Sequence, residues 1–367
     1  MIDARVEKMA EVITGYCTGV RPGDKVAIRG GTLAVPLIRA LYAEVVRAGA
    51  YPLPLLGVEG ARHALFEHGS DEQIQFIHDP MRRIFETYDV IINVDAAANT
   101  KAGSRLPREK VALAQRATTE ILQTVLSRYE KGELRWIETI YPTQAYAQDA
   151  SMSLDQYERF LFGACLPDMS DPVAYCKNLS AQQQKAVDWL QGKKRIRVEG
   201  AGVDLRMEIT GRPFVNCDGK ANLPDGEIYT CPVEDSIEGY VKVSYPSVYN
   251  GTEVRGVELR IERGRVSEAK AEKGEAYLLE MLGLDQGARQ VGEFAIGTNE
   301  GITEATGNTL LDEKIGGSFH IALGASAPDA GGSNGSALHW DLVTDLKAGG
   351  RISADGEVFY EGGKLLL

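Results

Sequence analysis

Apolar positions follow two different spacings along the first half of the chain. Short and almost continuous apolar runs, within residues 21–31, 50–57 and 89–98, are typical of strands that are buried on both faces. Residues 32–49 and 107–134 instead place apolar residues every three or four positions, which predicts amphipathic helices. Because strand and helix alternate, the pattern predicts an α/β domain with a mostly parallel sheet.

The spacing changes near residue 190. Residues 194–212 and 254–274 alternate with period two between glycine-rich turns, which predicts antiparallel hairpins. We therefore expect a domain boundary at about residue 190, within roughly ten residues. The boundary would separate an α/β domain, 1–190, from a mixed, largely antiparallel, β-rich α+β domain, 191–367.

Composition narrows the class of protein. The 367 residues are enough for two domains, and a net charge of −12 without a Lys/Arg block argues against nucleic acid or an anionic membrane as partner. Five scattered cysteines without CxxC spacing are typical of reduced thiols. No apolar run reaches the roughly 20 residues of a membrane helix. The first residues do not form a secretory signal, so we expect a cytoplasmic protein.

The segment 337–343 offers two metal-binding side chains from one strand. Its apolar residues are spaced by two, so a strand would bury them on one face and direct His339 and Asp341 together from the other. On a helix, side chains two positions apart would diverge. His-x-Asp can also be a simple hydrogen-bonded pair, so the triplet alone does not establish a site.

Three other strand-like segments repeat this arrangement with Glu227, Glu293 and His320. Each of these residues shares its predicted face with small or polar neighbours, which leaves room around the side chain. A mixture of carboxylate and imidazole suits zinc, manganese, cobalt or iron(II). A single strand histidine is more often structural and a single glutamate is more often solvated, so the pattern by itself leaves a metal site and a structural role both open.

Other candidates carry little chemistry. Gly30-Gly31 follows a strand but fits neither dinucleotide nor P-loop spacing, so we expect a turn and no nucleotide cofactor. His63, His68 and His78 are interpreted as structural or surface residues, since His63 and His68 are five positions apart and do not share a helix face as i, i+4 ligands do.

Four blocks in the second half, 222–232, 292–299, 308–324 and 331–341, resemble the thermophilic-type metalloaminopeptidases, the family of aminopeptidases T and S. The blocks occur in the family's order, and the PGDKVAI start of the first domain is similar too. Several blocks at matching separations are a far more specific signal than a single motif.

The resemblance implies a cytoplasmic, homodimeric metalloaminopeptidase that acts on short peptides. It implies a site with two divalent ions (Zn, Co or Mn) held by the second domain, and Glu293 as the catalytic residue as well as a ligand. The implied metal ligands are Glu227, Glu293, His320, His339 and Asp341. Asp312, Glu313 and Asn334 match family blocks and are expected either beside the ligands or in turns.

One position departs from the family. The family carries a tyrosine ligand seven residues after the first histidine, where this chain has Ala327. A related iron(II) dioxygenase that opens dihydroxypyridine rings resembles this chain in its His…His-x-Asp set, so a mononuclear Fe(II) site on His320, His339 and Asp341 is the alternative. A non-catalytic member of the fold is the third reading.

Overall fold

The chain forms two compact units in a computed structural model that describes residues 3–166 and 169–367. The first unit comprises Met1–Val173 with Gly219–Pro224, and the second comprises Ala174–Asp218 with Asp225–Leu367. The two units divide between Val173 and Ala174, so most of the helix Pro172–Leu190, whose last residue is the boundary expected from the sequence, belongs to the second unit. Ala186 and Leu190 of this helix are buried in the second unit's core, which explains the assignment.

Helices belong mainly to the first unit. They are α1 Ala4–Val12, α2 Val35–Arg47, α3 Ala61–His68, α4 Asp71–Gln75, α5 Asp79–Thr87, α6 Arg108–Glu130, α7 Gln144–Asp149, α8 Leu154–Cys165, α9 Pro172–Leu190, α10 Glu275–Met281 and α11 Thr309–Asp312. No helix within residues 3–166 and 169–367 combines the length and the apolar composition needed to cross a membrane.

Strands occur in both units. They are β1 Lys25–Gly31, β2 Tyr51–Gly57, β3 Val90–Asp95, β4 Arg135–Ile140, β5 Arg195–Gly200, β6 Val203–Glu208, β7 Val215–Cys217, β8 Asn222–Leu223, β9 Glu227–Thr230, β10 Glu238–Lys242, β11 Ser247–Tyr249, β12 Thr252–Val254, β13 Glu258–Glu262, β14 Arg265–Lys270, β15 Val291–Gly297, β16 Ser318–Gly324, β17 His339–Asp345, β18 Arg351–Ala354, β19 Glu357–Glu361 and β20 Lys364–Leu365.

The first unit contains the predicted parallel sheet, with strand order β2-β1-β3-β4-β8. Ile28, Ile92 and Ile137 are neighbours across its central strands and are fully buried. Burial on both faces explains the continuous apolar runs of these strands. The helical stretch before β3 is interrupted ahead of Pro80, since α4 ends at Gln75 and α5 begins at Asp79.

The short strand β8 was not predicted. It adds a fifth strand to the parallel sheet by pairing with β4, and the Thr139 hydroxyl donates a hydrogen bond of 2.7 Å to the Leu223 carbonyl. The sequence-based boundary assigned this stretch to the second domain. A strand of two residues has no periodicity that a pattern could reveal, so its pairing is visible only in three dimensions.

The second unit is β-rich and largely antiparallel, as predicted. An eight-stranded sheet has the order β14-β13-β10-β6-β5-β18-β19-β20, and a five-stranded sheet has the order β17-β16-β15-β9-β7. Strands β11 and β12 form a separate pair. The predicted hairpins are β5-β6 and β13-β14, whose inward residues join one hydrophobic core with residues of the five-stranded sheet. The five-stranded antiparallel sheet positions the candidate site.

Candidate metal centre

All five predicted ligands project from one face of the five-stranded antiparallel sheet. The register pairs Ala295 with His320, and Ala322 with both Glu293 and Asp341. It also pairs Glu227 with Gly297 and Gly324 with His339. Directly paired residues lie on the same face, and residues two apart share it, so these positions form one continuous surface. Glycine and alanine occupy the places between the ionisable side chains, which gives the functional groups room to converge.

The strands keep this register because their other face is apolar. Phe319, Ile321 and Leu323 of β16 are fully buried, and so are Trp340 and Leu342 of β17. A shift by one residue would place these side chains on the polar face, so the core fixes which side chains face the site.

Three of the predicted ligands surround the Nε2 atom of the fourth, His320. This nitrogen lies 3.3 Å from Glu293 Oε1, 3.5 Å from Glu227 Oε2 and 3.8 Å from Asp341 Oδ1. His320 itself is fully buried, and the three carboxylates are nearly so. The strand positions that the alternation predicted therefore bring their side chains together in one cluster.

His339 completes the cluster from its exposed edge. Its Nε2 lies 3.6 Å from Asp341 Oδ1, and its Nδ1 lies 3.0 Å from the Ala325 carbonyl oxygen. A carbonyl can only accept, so Nδ1 carries the proton and donates it to Ala325. The Nε2 lone pair is then directed toward the carboxylates, as is typical of a metal-binding histidine.

Two backbone irregularities shape the edge of this face. The register of β15 shifts between Val291 and Glu293, a β-bulge immediately before the central glutamate. Bulges commonly redirect a side chain next to a functional site. Gly324 ends β16 with φ +98°, and a Cβ there would lie 2.1 Å from the Leu338 carbonyl oxygen. Only glycine fits this close approach, which starts the loop that leads to His339.

Buried polar atoms in the cluster lack the partners that a folded protein normally provides. Glu227 Oε2, Asp341 Oδ1 and His320 Nδ1 are buried without a hydrogen-bond partner. A buried carboxylate oxygen without a donor is costly, and most such atoms are satisfied. A divalent cation among the carboxylates and imidazoles would satisfy both oxygens. The donor set therefore fits zinc, cobalt, manganese or iron(II).

Lys314 supplies the positive charge on one side of the cluster. Its fully buried Nζ lies 3.6 Å from Glu227 Oε1 and 4.0 Å from Asp225 Oδ1, and it also pairs with Glu313. Cys217, Asp225 and Glu227 form a second group with metal-binding geometry, but the Lys314 ammonium already neutralises it. In the group of Glu227, Glu293 and His320, Lys314 pairs with Glu227 alone, and no lysine or arginine among the described residues pairs with Glu293 or His320.

Electrostatics in the metal-free cluster favour protons at the positions where a cation would bind. Burial alone would lower the pKa of His320, but the Glu293 hydrogen bond and the charges of Glu227 and Asp341 outweigh it and raise this pKa to about 10. Burial raises the pKa of Glu227 despite the opposing charge of Lys314, and burial also raises the pKa of Asp341. The shift of His320 reflects the surrounding negative charge, whereas the shifts of the two carboxylates reflect mainly their burial.

Three further residues that match the family blocks are Asp312, Glu313 and Asn334. Two of them form hydrogen bonds in turns, and the third pairs with Lys314. Asp312 accepts hydrogen bonds from the backbone nitrogens of Thr306 and Gly307, at 2.7 and 2.8 Å. Glu313 pairs with Lys314. Asn334 donates to the Gly324 carbonyl at 2.6 Å, which ties the loop to the end of β16. The first and last of these therefore fix turn geometry, one of the two roles expected for them.

The three histidines of the N-terminal half belong to the first unit, and the sheet that carries the cluster belongs to the second. His63 and His68 are exposed residues of α3, and His78 precedes α5.

Together the geometry defines a protein with a buried carboxylate–imidazole cluster of the kind that binds divalent cations.

Comparison with known proteins agrees with this class. Residues 2–364 match the family described as thermophilic metalloprotease (M29). The chain belongs to this family, as the sequence blocks predicted, and membership makes it an enzyme of the hydrolase class that uses a divalent metal.

Curated relatives extend along most of the chain. It is 28% identical to aminopeptidase T of Thermus thermophilus over 345 residues, which cover 87% of this chain and 84% of that protein. It is 24% identical to aminopeptidase 2 of Geobacillus stearothermophilus over 400 residues, covering 97% of this chain and 95% of the relative.

Solved structures show the same fold. Wild-type AmpT from Thermus thermophilus superposes with a TM-score of 0.86 at 24% identity, with 99% of each chain covered. The 2,5-dihydroxypyridine dioxygenase from Pseudomonas putida superposes with a TM-score of 0.59 at 14% identity, with 100% of this chain and 98% of that chain covered. At these identities both likenesses show the fold alone, and they do not favour the dioxygenase alternative over the hydrolase.

Sequence reasoning missed Lys314. The sequence analysis singled out its neighbours Asp312 and Glu313 but assigned no role to the lysine itself. The available signal was a lone lysine between two acids and a Gly-Gly turn, directly before the strand of His320. A lysine directly before a buried strand has little access to water, so its ammonium group requires buried partners.

Proposed function

We propose that this chain is a metal-dependent aminopeptidase that removes N-terminal residues from short peptides at a two-metal site. The observation that carries the proposal is the convergence of Glu227, Glu293, His320 and Asp341, with two buried carboxylate oxygens left without donors. Family membership and the aminopeptidase relatives support the same reaction.

We assign the five clustered residues as the metal ligands. Glu227 would offer Oε2, since its Oε1 faces Lys314, and His339 would offer Nε2, since its Nδ1 donates to Ala325. When bound, two divalent ions polarise the scissile carbonyl and lower the pKa of the attacking water. Zinc, cobalt and manganese all suit this mixed donor set.

Glu293 has the central position among these residues, and we assign it the catalytic role. Its Oε1 lies beside His320 Nε2, and the β-bulge directs it toward the middle of the face. A carboxylate there can accept the proton that the attacking water loses and deliver it to the leaving amine, so that the proton balance of hydrolysis closes.

The iron(II) dioxygenase alternative would use His320, His339 and Asp341 alone. Glu227 and Glu293 lie in the same cluster, within 3.5 Å of His320 Nε2, and a mononuclear triad requires neither of them. This crowding of carboxylates favours two divalent ions over one iron.

A cytoplasmic homodimer is part of the same proposal and is supported by the family resemblance. Gel filtration with light scattering on the purified chain would test the dimer. A mass of one chain at micromolar concentration would contradict it.

The reaction itself is tested with aminoacyl-p-nitroanilides and their N-acetylated counterparts. We expect the free-amine substrates to be cleaved, the acetylated substrates to be resistant, and exhaustive chelation to abolish activity until zinc, cobalt or manganese is restored. Activity that survives exhaustive chelation would contradict a metal mechanism. Ring cleavage of a dihydroxypyridine with ferrous iron, without peptidase activity, would establish the alternative.

A further inference from the structure

The loop after β16 contacts the site face at every second residue. The Ala325 carbonyl accepts from His339 Nδ1, and the Ala327 carbonyl accepts from Cys231 Sγ at 3.4 Å. The Asp329 carboxylate accepts from the Tyr229 hydroxyl, with both oxygens at 3.0 Å. The loop is therefore tied to the histidine edge of the face at one end and to the β9 edge at the other, and it forms a wall beside the predicted ligands.

Tyr229 belongs to the same face as the ligands. It lies two positions after Glu227 on β9 and pairs with Ala295, whose other neighbour across the sheet is His320. Ala295 therefore stands between the phenol and the imidazole in the sheet, and its side chain is only a methyl group. The Tyr229 hydroxyl donates its hydrogen bond to the Asp329 carboxylate, and the phenol oxygen keeps a lone pair that can accept another.

The Asp329 carboxylate is exposed and lacks a cationic partner. Among residues 3–166 and 169–367, no lysine, arginine or histidine forms an ion pair with it. Glu234, an acid that contacts the same loop through Ser333, is by contrast paired with Arg212 at 2.6 Å. Its hydrogen bond to Tyr229 fixes the position of the Asp329 carboxylate. No cationic side chain among the described residues compensates its charge.

We propose that Asp329, held by Tyr229, binds the α-ammonium group of the peptide substrate. The inference rests on the proposed aminopeptidase function and specifies how the free N-terminus is recognised. An ammonium can donate to an Asp329 oxygen and to the phenol oxygen together, and a hydrogen bond between charged groups is stronger than a neutral one. An acetylated N-terminus has lost this charge, so the pair would discriminate exopeptidase substrates from internal peptide bonds.

Two substitutions separate this role from a purely structural one. Asp329→Asn removes the charge but keeps an oxygen that accepts from Tyr229. Tyr229→Phe removes the tether but keeps the charge. We expect Asp329→Asn to raise KM for leucine p-nitroanilide about tenfold, a loss typical of a charge-assisted hydrogen bond, with a much smaller change in kcat. Tyr229→Phe should raise KM less. A role in fixing the loop alone predicts the opposite order.

A binding measurement isolates the amine contact. L-Leucinamide and 4-methylpentanamide differ by the amino group, so the ratio of their inhibition constants reports its recognition. Wild type should prefer the amine, and Asp329→Asn should lose about tenfold of that preference. Glu234→Gln is the matched control, since it removes a loop-contacting charge that Arg212 already neutralises, and it should leave the ratio unchanged.

The outcomes distinguish the two proposals. A wild-type enzyme that cleaves aminoacyl substrates, combined with an Asp329→Asn variant of unchanged KM and unchanged inhibitor ratio, would overturn the ammonium site and leave the aminopeptidase intact. A metal-loaded wild type that cleaves no aminoacyl substrate would overturn the proposed function itself. Equal metal content in wild type and variant confirms that the change in KM does not arise from metal loss.

Discussion

The two five-stranded sheets of this protein treat charge in opposite ways. The parallel sheet of the first unit buries Ile28, Ile92 and Ile137 side by side in its middle. Two of its ionisable residues, partly buried Arg29 and exposed Glu138, both hydrogen-bond to Asn93. The antiparallel sheet of the second unit instead buries carboxylates and an imidazole on one face of its strands.

This difference shows where the chain departs from what stability alone would favour. Burying a charge without a partner is costly, and an apolar residue of similar volume is usually as good or better for stability. The parallel sheet follows that rule. The antiparallel sheet retains Glu227, Glu293, His320 and Asp341 and neutralises only one side of them, with Lys314. The uncompensated side is therefore the part of the molecule built for a cation.

Removing the central carboxylate should have the largest effect. We expect Glu293→Gln to lower kcat for aminoacyl-p-nitroanilides by at least about a hundredfold, because the face loses both a ligand and its proton acceptor. Glu138→Gln in the parallel sheet is the matched control and should retain activity. Steady-state kinetics on both variants make the comparison, and an active Glu293→Gln enzyme would refute the role assigned to this residue.

Removing the compensating charge should destabilise the second unit. Lys314→Met keeps most of the side-chain volume but leaves Asp225, Glu227 and Glu313 without their cation, which we expect to cost about 3 kcal/mol of unfolding free energy. Urea denaturation of the metal-free protein measures it. Lys242→Met, which removes an exposed partner of Glu258, should change stability little. Equal effects of the two substitutions would show that Lys314 is not the buried counter-ion described here.

The metal-free protein should lose stability as the pH rises. The pKa of His320 is raised to about 10 from 6.5, so its contribution is fully present below 6.5 and is lost between 6.5 and about 10. The raised pKa of Glu227 acts in the same direction, because the fold favours its protonated form. Thermal melting across this pH range should show a falling Tm that His320→Gln flattens. A Tm that rises with pH would contradict the account.

The smallest expected effect concerns Ala327. This residue lies in the loop beside the site, and its carbonyl accepts a hydrogen bond from Cys231 Sγ. Ala327→Tyr would place a phenol on this wall, and we expect turnover or metal affinity to rise about threefold, the scale of one added hydrogen bond. Ala337→Tyr, at an exposed position of the same loop, is the control. No change in either quantity would mean that Ala327 does not lie where the family's tyrosine binds.

The spacing of apolar and polar residues along the chain was enough to predict much of this architecture. Residues two apart on a strand share a face, so His339 and Asp341 could be paired from sequence alone, and apolar runs identified the parallel strands. The convergence of Glu227, Glu293 and His320 could not be derived in this way, because distance along the chain does not specify strand order. It was expected only through the family resemblance.

Two features needed the structure because they depend on long-range contacts. Lys314 becomes significant only when β9 brings Glu227 and Asp225 to within 4.0 Å of its ammonium. Tyr229 becomes significant only when the loop places Asp329 against its hydroxyl, 100 positions away in sequence. The residues around Lys314 indicate only that this lysine needs partners, and no local pattern distinguishes Tyr229 from ordinary surface or core.

The central claim is that the uncompensated face of the antiparallel sheet holds two divalent ions. Metal analysis of protein purified without chelators tests it most directly, with Glu293→Gln measured in parallel. The account predicts two zinc, cobalt or manganese ions per chain in the wild type and fewer in the variant. One iron per chain would contradict it in favour of the dioxygenase, and no metal even after reconstitution would contradict it in favour of a non-catalytic protein.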